Sequence, residues 1–473
     1  MGIIAKIYNK LNPVNVKIDS LKVRVGDFIN SQERRTTDIE ERLERLNAQI
    51  GACSEHLCES ADMSSVRGQV LNQTVNMIST KLTDMRFGSP KRIKVLFLVH
   101  ESETWATLDG VYQLMMADPR FDVILATCQR RYPGSDHYSG ETITHEFFER
   151  AGAPHIRLVN DDSYIDLDII KTIAPDAIFR QSQWDADVPP AFAVGNLTFA
   201  KLYNVPYEIL PVADQIFSLR GNFVFWERLA GLFTVNGSVA NKYMGYSTQV
   251  QARATGHPKV EHIIKAEPSW PIQSTNSKRV YWSAHHAIFT DWIDFGTIHQ
   301  VHPMMLDFAQ NHQDIDIVLS PHPGLRGSLE RLKREDPQQA SAIEEFFTQW
   351  DELPNTALLP NGNTIGPMKA CDVILTDGVS CLIEGQLSDK PIVFMERPDH
   401  YPFSEIGLRI AKGLNALADY TSYAHLEKML LHFLDGGEDP REPDRRDNYQ
   451  YLTECGHAAD NILQSILQDF NMV

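Results

Sequence analysis

The chain reads as an α/β protein with two doubly wound parallel-sheet domains in series behind a helical N-terminal region. Three observations predict this. Short continuous apolar runs, such as VLFLV at 95–99, DIVL at 316–319 and PIVF at 391–394, alternate with helical stretches. That is the pattern of parallel strands covered on both faces. The alternation stops at a Pro- and Ser-rich stretch over 266–277 and restarts at residue 280. Residues 1–88 instead carry apolar stripes at helical spacing.

The N-terminal stripes come first. Ile18, Leu21, Val25 and Phe28, then Ile39, Leu43, Leu46 and Ile50, follow 3–4 spacing, with charges such as Glu40, Arg42 and Glu44 on the other faces. A weaker stripe runs through Val66, Val70, Ile78, Leu82 and Met85. This predicts a coiled coil or helical hairpin and a homo-oligomer. The extreme N-terminus sets Lys6, Lys10, Lys17, Lys22 and Arg24 beside Ile3, Ile4, Ile7 and Leu11, a composition suited to peripheral contact with an anionic membrane face.

Composition narrows the function. The 473 residues carry a formal charge of −18, which excludes a generally basic nucleic-acid binder. The six cysteines lack paired spacing, so a reducing cytoplasm is expected rather than a disulfide scaffold. Cys53, His56 and Cys58 have no second ligand pair after them, so no metal site is expected there. No apolar run approaches the ~20 residues of a membrane span.

In chain order, the strands fall at 93–99, 123–127, 156–158, 177–179 and 233–235, with helices at 107–116, 145–151, 165–173 and 238–245. The expected domains are 1–88, 89–265, 277–420 and a C-terminal helical segment, 421–473. The first strand is not followed by GxGxxG, so no dinucleotide cofactor is expected. In the second half, strands fall at 280–283, 315–319, 358–359, 373–375 and 391–394. One long charged helix is expected over 328–350. Two tail helices, 423–434 and 449–470, are expected to flank a charged loop at 436–446.

Polar residues collect at three strand ends of the second half. These are His285 and His286, then His322 with Arg326, then Thr376, Asp377 and Ser380. Parallel strands bring all three ends to one edge. Imidazoles, a guanidinium, hydroxyls and helix N-termini together suit a diphosphate. Zinc held by His285, His286, His322 and Asp377 is the competing reading. It is disfavoured because side chains alternate along a strand, so adjacent histidines should diverge.

SPHPGLR, CDVILTDGVSCLIEG, KPIVF and FSEIG resemble the C-terminal half of the CDP-glycerol glycerophosphotransferase family. TGHPKVEHI and VYWSAHH resemble that family's domain junction, and KVLFLVHESETWATLDGVYQLMMADPRFDV the opening of its N-terminal domain. The likeness runs from about residue 91 to 414. Members are GT-B transferases of teichoic acid and capsule biosynthesis, so the resemblance implies two Rossmann-like domains and a site in the interdomain cleft. It implies metal-independent transfer of a glycerol-phosphate or glycosyl group from a nucleotide-activated, CDP-linked donor to a cell-surface glycan, with UDP- or CMP-sugars as alternative donors and a non-catalytic scaffold as a further alternative. His322, Arg326, Thr376, Asp377 and Ser380 would bind the nucleotide diphosphate, and Glu384 would face the nucleotide. Teichoic-acid polymerases carry a general-base histidine in a Trp-His-Gly-Thr-Pro segment. The comparable stretch here, PYEILPVAD, has none. The candidates for the base are His100, Asp185, Glu208 and Asp214, with Asp185 and His100 favoured.

Overall fold

A computed structural model describes residues 92–131, 137–213, 223–289, 293–359 and 364–472. The N-terminal stripes, the basic amphipathic start, the oligomerisation expectation and Asp214 lie outside the described residues. Among the described residues, no helix is long and apolar enough to cross a membrane.

The first sheet contains β1 (Ile93–Val99), β2 (Phe121–Cys128), β3 (Ile156–Leu158), β4 (Ala177–Arg180), β5 (Lys201–Asn204), β6 (Gly231–Thr234) and β7 (Ala252–Ala254). Its order is β3-β2-β1-β4-β5-β6-β7, and every pairing is parallel. The second contains β8 (Lys278–Ala284), β9 (Ile315–Pro321), β10 (Thr356–Leu358), β11 (Val373–Thr376), β12 (Ile392–Met395) and β13 (Asn415–Leu417). Its order is β10-β9-β8-β11-β12-β13, again all parallel. Both sheets therefore share one winding, in which the first strand of each half sits between its second and fourth. The crevices open where the order reverses, at β1/β4 and at β8/β11.

Buried apolar strands explain the two cores. In the first, Phe97 of β1 stacks on Phe179 of β4 at 4.8 Å, with Trp105 and Tyr112 edge-on. In the second, Trp282 of β8 meets Phe346 and Trp350. The closing helices divide between these cores. Helix Tyr423–Leu434 packs Leu426, Leu430 and Phe433 into the second core, whereas helix Ala458–Asp469 returns to place Ile462 and Ile466 in the first. Asp469 fixes that return, accepting from Tyr203 Oη at 2.8 Å and Arg253 Nη2 at 3.0 Å.

Three expectations change in detail. The long charged helix is two helices, Leu325–Glu335 and Pro337–Glu352. Pro337 has no N–H to continue the first helix, and Asp336 caps the second by accepting from Gln339 N at 3.0 Å. The charged loop at 436–446 is cut short, because helix Glu442–Thr453 begins inside it. The last helix starts only at Ala458, after Gly456 and His457 take left-handed backbone at φ 49° and 45°.

A short strap joins the halves. Ala213 bridges Phe403, Ser404 N donates to Val212 O at 2.7 Å, and Ser404 Oγ donates to Pro211 O at 2.7 Å. A β-carbon at Gly407 would lie 2.0 Å from Val212 O, so only glycine permits this approach. The FSEIG segment is thus part of an interdomain contact.

Candidate functional site

The site forms where the C-terminal edges of the two sheets meet. From the second half, β8 ends at Ala284 and leads into His285 and His286, while β9 ends at Pro321 and leads into His322. His322 N donates to Ala284 O at 2.8 Å, which draws the β9 end against the β8 end. The three rings cluster, with centroids 4.6 Å apart for His285–His286, 4.4 Å for His286–His322 and 5.3 Å for His285–His322. The expectation that adjacent histidines diverge fails here. Both lie beyond the strand, where the two-residue alternation no longer applies.

The backbone fixes two tautomers. Ala287 N donates to His285 Nδ1 at 3.1 Å, and Gly324 N donates to His322 Nδ1 at 3.0 Å. A backbone amide is only a donor, so each Nδ1 accepts and each neutral ring carries its proton on Nε2. Such rings present N–H donors, which suit phosphate oxygens and leave no Nε2 lone pair for a metal. The three donor atoms lie within 4.8 Å of one another, yet this protonation pattern works against zinc. His322 is exposed, whereas His286 is 9% and His285 5% exposed, so His322 is the ring that reaches a ligand directly. Although one side of the ring is exposed, the protein packed round the rest of it desolvates the charged form, and with the neighbouring His286, Arg130 and Lys259 this holds the His322 pKa well below the ordinary imidazole value. The ring therefore stays neutral near pH 7.

Thr376 and Asp377 have structural engagements. Thr376 Oγ1 accepts from Gly378 N at 2.8 Å and shapes the turn after β11. Asp377 is fully buried and accepts from His285 N at 2.7 Å and from Thr297 N and Oγ1 at 2.5 and 2.7 Å. Burial raises its pKa to about 6 despite those donors. Asp377 therefore positions the His285 loop, with its carboxylate already surrounded by donors. Ser380 is exposed on the first turn of helix Val379–Glu384, and Arg326 is exposed on the first turn of helix Leu325–Glu335.

The first half supplies the opposite wall. Arg130, just beyond β2, pairs with Glu101 and lies close enough to His286 and His322 to depress both imidazoles. Lys259 Nζ reaches across to Glu384 Oε1 at 2.5 Å. So Glu384 faces a lysine of the other half. Glu208 accepts from Gln183 Nε2 at 2.7 Å, and burial pushes its pKa up to about 7, against the lowering by Gln183 and Lys259. Its loop is held by buried His257, whose Nε2 donates to Pro206 O at 2.8 Å while Nδ1 accepts from Lys259 N at 3.2 Å. Burial also raises Glu101 to about 7.

The two favoured bases are engaged elsewhere. His100 is 2% exposed, and its Nδ1 lies 2.5 Å from Gln181 Oε1. Burial, then Arg130, lowers its pKa to about 3. Asp185 is paired with buried Arg180 and accepts from Val194 N at 3.1 Å. Sequence reasoning did not single out Glu101, Arg130, His257 or Lys259. The signal for Glu101 was its place two residues past the first strand, and for His257 its place before Pro258 at a helix start.

No protein-family model matches the chain, and no curated protein sequence matches it. Solved structures do match in fold. A UDP-N-acetylglucosamine 2-epimerase structure from Listeria monocytogenes, itself provisionally assigned, superposes with a TM-score of 0.54 at 14% identity, over 81% of this chain and 98% of that one. The S. aureus MnaA–UDP co-structure gives 0.55 at 11%, over 80% and 97%. The Neisseria meningitidis UDP-GlcNAc 2-epimerase bound to UDP-GlcNAc gives 0.55 at 12%, over 79% and 100%. Together with the two parallel sheets, these matches give the chain a GT-B-like fold, the architecture of those nucleotide-sugar epimerases.

Proposed function

We propose that this protein is a transferase that moves a glycerol-phosphate or glycosyl group from a nucleotide-activated donor to a cell-surface polysaccharide acceptor, without a metal. The observation that carries this reading is the exposed His322, with its proton on Nε2 and with Arg130 and Lys259 close by, backed by His285 and His286. Neutral N–H donors beside two cations, each held by a carboxylate of Glu101 or Glu384, make a set that suits a diphosphate. His322 hydrogen-bonds the diphosphate directly. Arg326 and Ser380 contribute from neighbouring helix starts, and Thr376 and Asp377 keep the turn and the His285 loop in place. Glu208 is the general base. Its pKa of about 7 matches proton transfer near neutral pH.

With a CDP-linked donor, the acceptor hydroxyl attacks the distal phosphorus. Its proton passes to Glu208, a new O–P bond forms, and the O–P bond to CMP breaks. The CMP oxyanion is stabilised by the imidazole N–H groups and the cations. The sequence likeness supports the CDP-linked donor. A second reading, a UDP-sugar glycosyltransferase, is favoured by the structural neighbours solved with UDP and UDP-GlcNAc.

The test is nucleotide release, read by mass spectrometry, from a panel of CDP-, UDP- and CMP-linked donors with capsule fragments as acceptors. CMP release from CDP-glycerol supports the first reading. Release of UDP alone supports the second and sinks the first. No release from any donor favours a scaffold without turnover.

A further inference from the structure

We propose that His145, Glu149 and His155 form a binding site for a divalent cation of the zinc type, separate from the interdomain site and independent of the function proposed above. His145 and Glu149 stand one turn apart on helix Glu141–Arg150, and His155 ends the loop that leads into β3. One donor atom from each lies within 4.8 Å of the other two.

The protonation pattern is the reverse of that in the interdomain cluster. His155 Nδ1 lies 2.8 Å from Ala153 O, which can only accept, so Nδ1 carries the proton and Nε2 holds a lone pair. That lone pair faces His145 Nδ1 at 2.8 Å. A tetrahedral zinc with Zn–N bonds of about 2.0–2.1 Å places its ligand atoms about 3.3 Å apart. Opening the pair by about half an ångström therefore admits the ion in place of a shared proton. Ala153 O then serves as the outer partner that orients a metal-bound imidazole. Two imidazoles and a carboxylate form a set that suits zinc better than magnesium or calcium, and water completes the fourth position.

The surroundings agree. The helix ends at Arg150, and its carbonyl end favours positive charge. Arg157, the cation that acts on His145, is matched by its ion pair with buried Glu141 at 2.6 Å. His155 precedes β3, so the site lies at the N-terminal edge of the sheet, away from the edge where His100 and Arg130 stand. The ion's role there is to tie the helix to β3, a three-residue edge strand.

The test uses the full-length protein stripped of metal with a chelator and then titrated with Zn²⁺ by calorimetry, with Co²⁺ absorption as a geometric readout. Wild type is expected to bind one tight equivalent, show a four-coordinate cobalt spectrum and melt at a higher temperature with zinc. His155→Gln and Glu149→Gln should each weaken that event by at least roughly ten- to hundredfold, the loss typical of removing even an outer partner. His322→Gln should leave it intact. Equal zinc affinity in wild type and His155→Gln overturns the site, as does loss of the tight event in His322→Gln. If His155→Gln lowers the melting temperature by the same amount with and without zinc, the pair is only a hydrogen bond and the proposal is wrong.

Discussion

The two sheets have the same strand order, yet their crevices treat a histidine in opposite ways. In each half, the residue after the first strand donates its backbone N–H to a side chain just past the fourth. His100 N donates to Gln181 at 3.0 Å, and His285 N donates to Asp377 at 2.7 Å. Gln181 also takes the His100 ring, and this seals the imidazole inside. Asp377 instead takes Thr297, so the His285 ring is left to pack, tilted, against His286 and His322. The group at the end of the fourth strand thus decides whether the histidine is bound by its own sheet or joins a cluster whose outermost ring, His322, is exposed. One topology yields a closed wall that presents carboxylates and cations, and an open wall that presents N–H donors.

That contrast can be broken by substitution. The largest expected effect is on Glu208, the group on the first wall assigned as base. Glu208→Gln should lower turnover roughly 10²–10⁴-fold. The carboxylate is the active form and its pKa is raised, so the wild-type rate should climb as pH rises through about 7 and then level off. The variant's profile should lose that inflection in a steady-state pH series. An inflection that survives moves the base role elsewhere, Glu101 being the next group that titrates there.

On the second wall, His322→Ala should lower turnover on any accepted donor by about 10²–10³-fold, as for a lost transition-state donor. Unchanged turnover refutes its contact with the diphosphate. Asp377→Asn sets an amide against donors that a carboxylate satisfied, and should cost about 1–3 kcal/mol in urea unfolding. A variant as stable as wild type would mean that the His285 loop is held by other contacts. The smallest effect is expected for His100→Asn, whose pH profile should keep its inflection near pH 7. Loss of that inflection would return the base role to the sealed histidine.

The alternation of strands and helices was legible because the strands are buried on both faces, leaving runs such as 95–99 without polar interruption. β5, β7 and β13 were missed: they have only three or four residues, and polar or small residues such as Lys201, Asn204, Arg253 and Asn415 interrupt their apolar runs. The strand-end histidines were legible as a group, but not their convergence, which depends on backbone beyond the strands. Nor were the engagements of Asp185 and Asp377, because a pairing with Arg180 or Thr297 leaves no mark in local sequence. The attachment of the last helix to the first sheet joins residues more than 200 apart, such as Arg253 and Asp469.

The stretch over 266–277 looks like a tether in the sequence and is not one in the structure. Asp316, fully buried, accepts from Trp270 Nε1 at 3.1 Å, Ser274 Oγ at 2.6 Å and Asn276 Nδ2 at 2.9 Å. Lys369 donates to Ile264 O at 2.8 Å and Ala266 O at 2.5 Å. The connection is fixed along the second half, the 211–213 strap is clamped by Ser404, and the chain crosses back before residue 458. Three attachments of this kind leave little freedom for the halves to slide or twist. Any rotation that opened the crevice would have to break the Lys259–Glu384 pair, which crosses it.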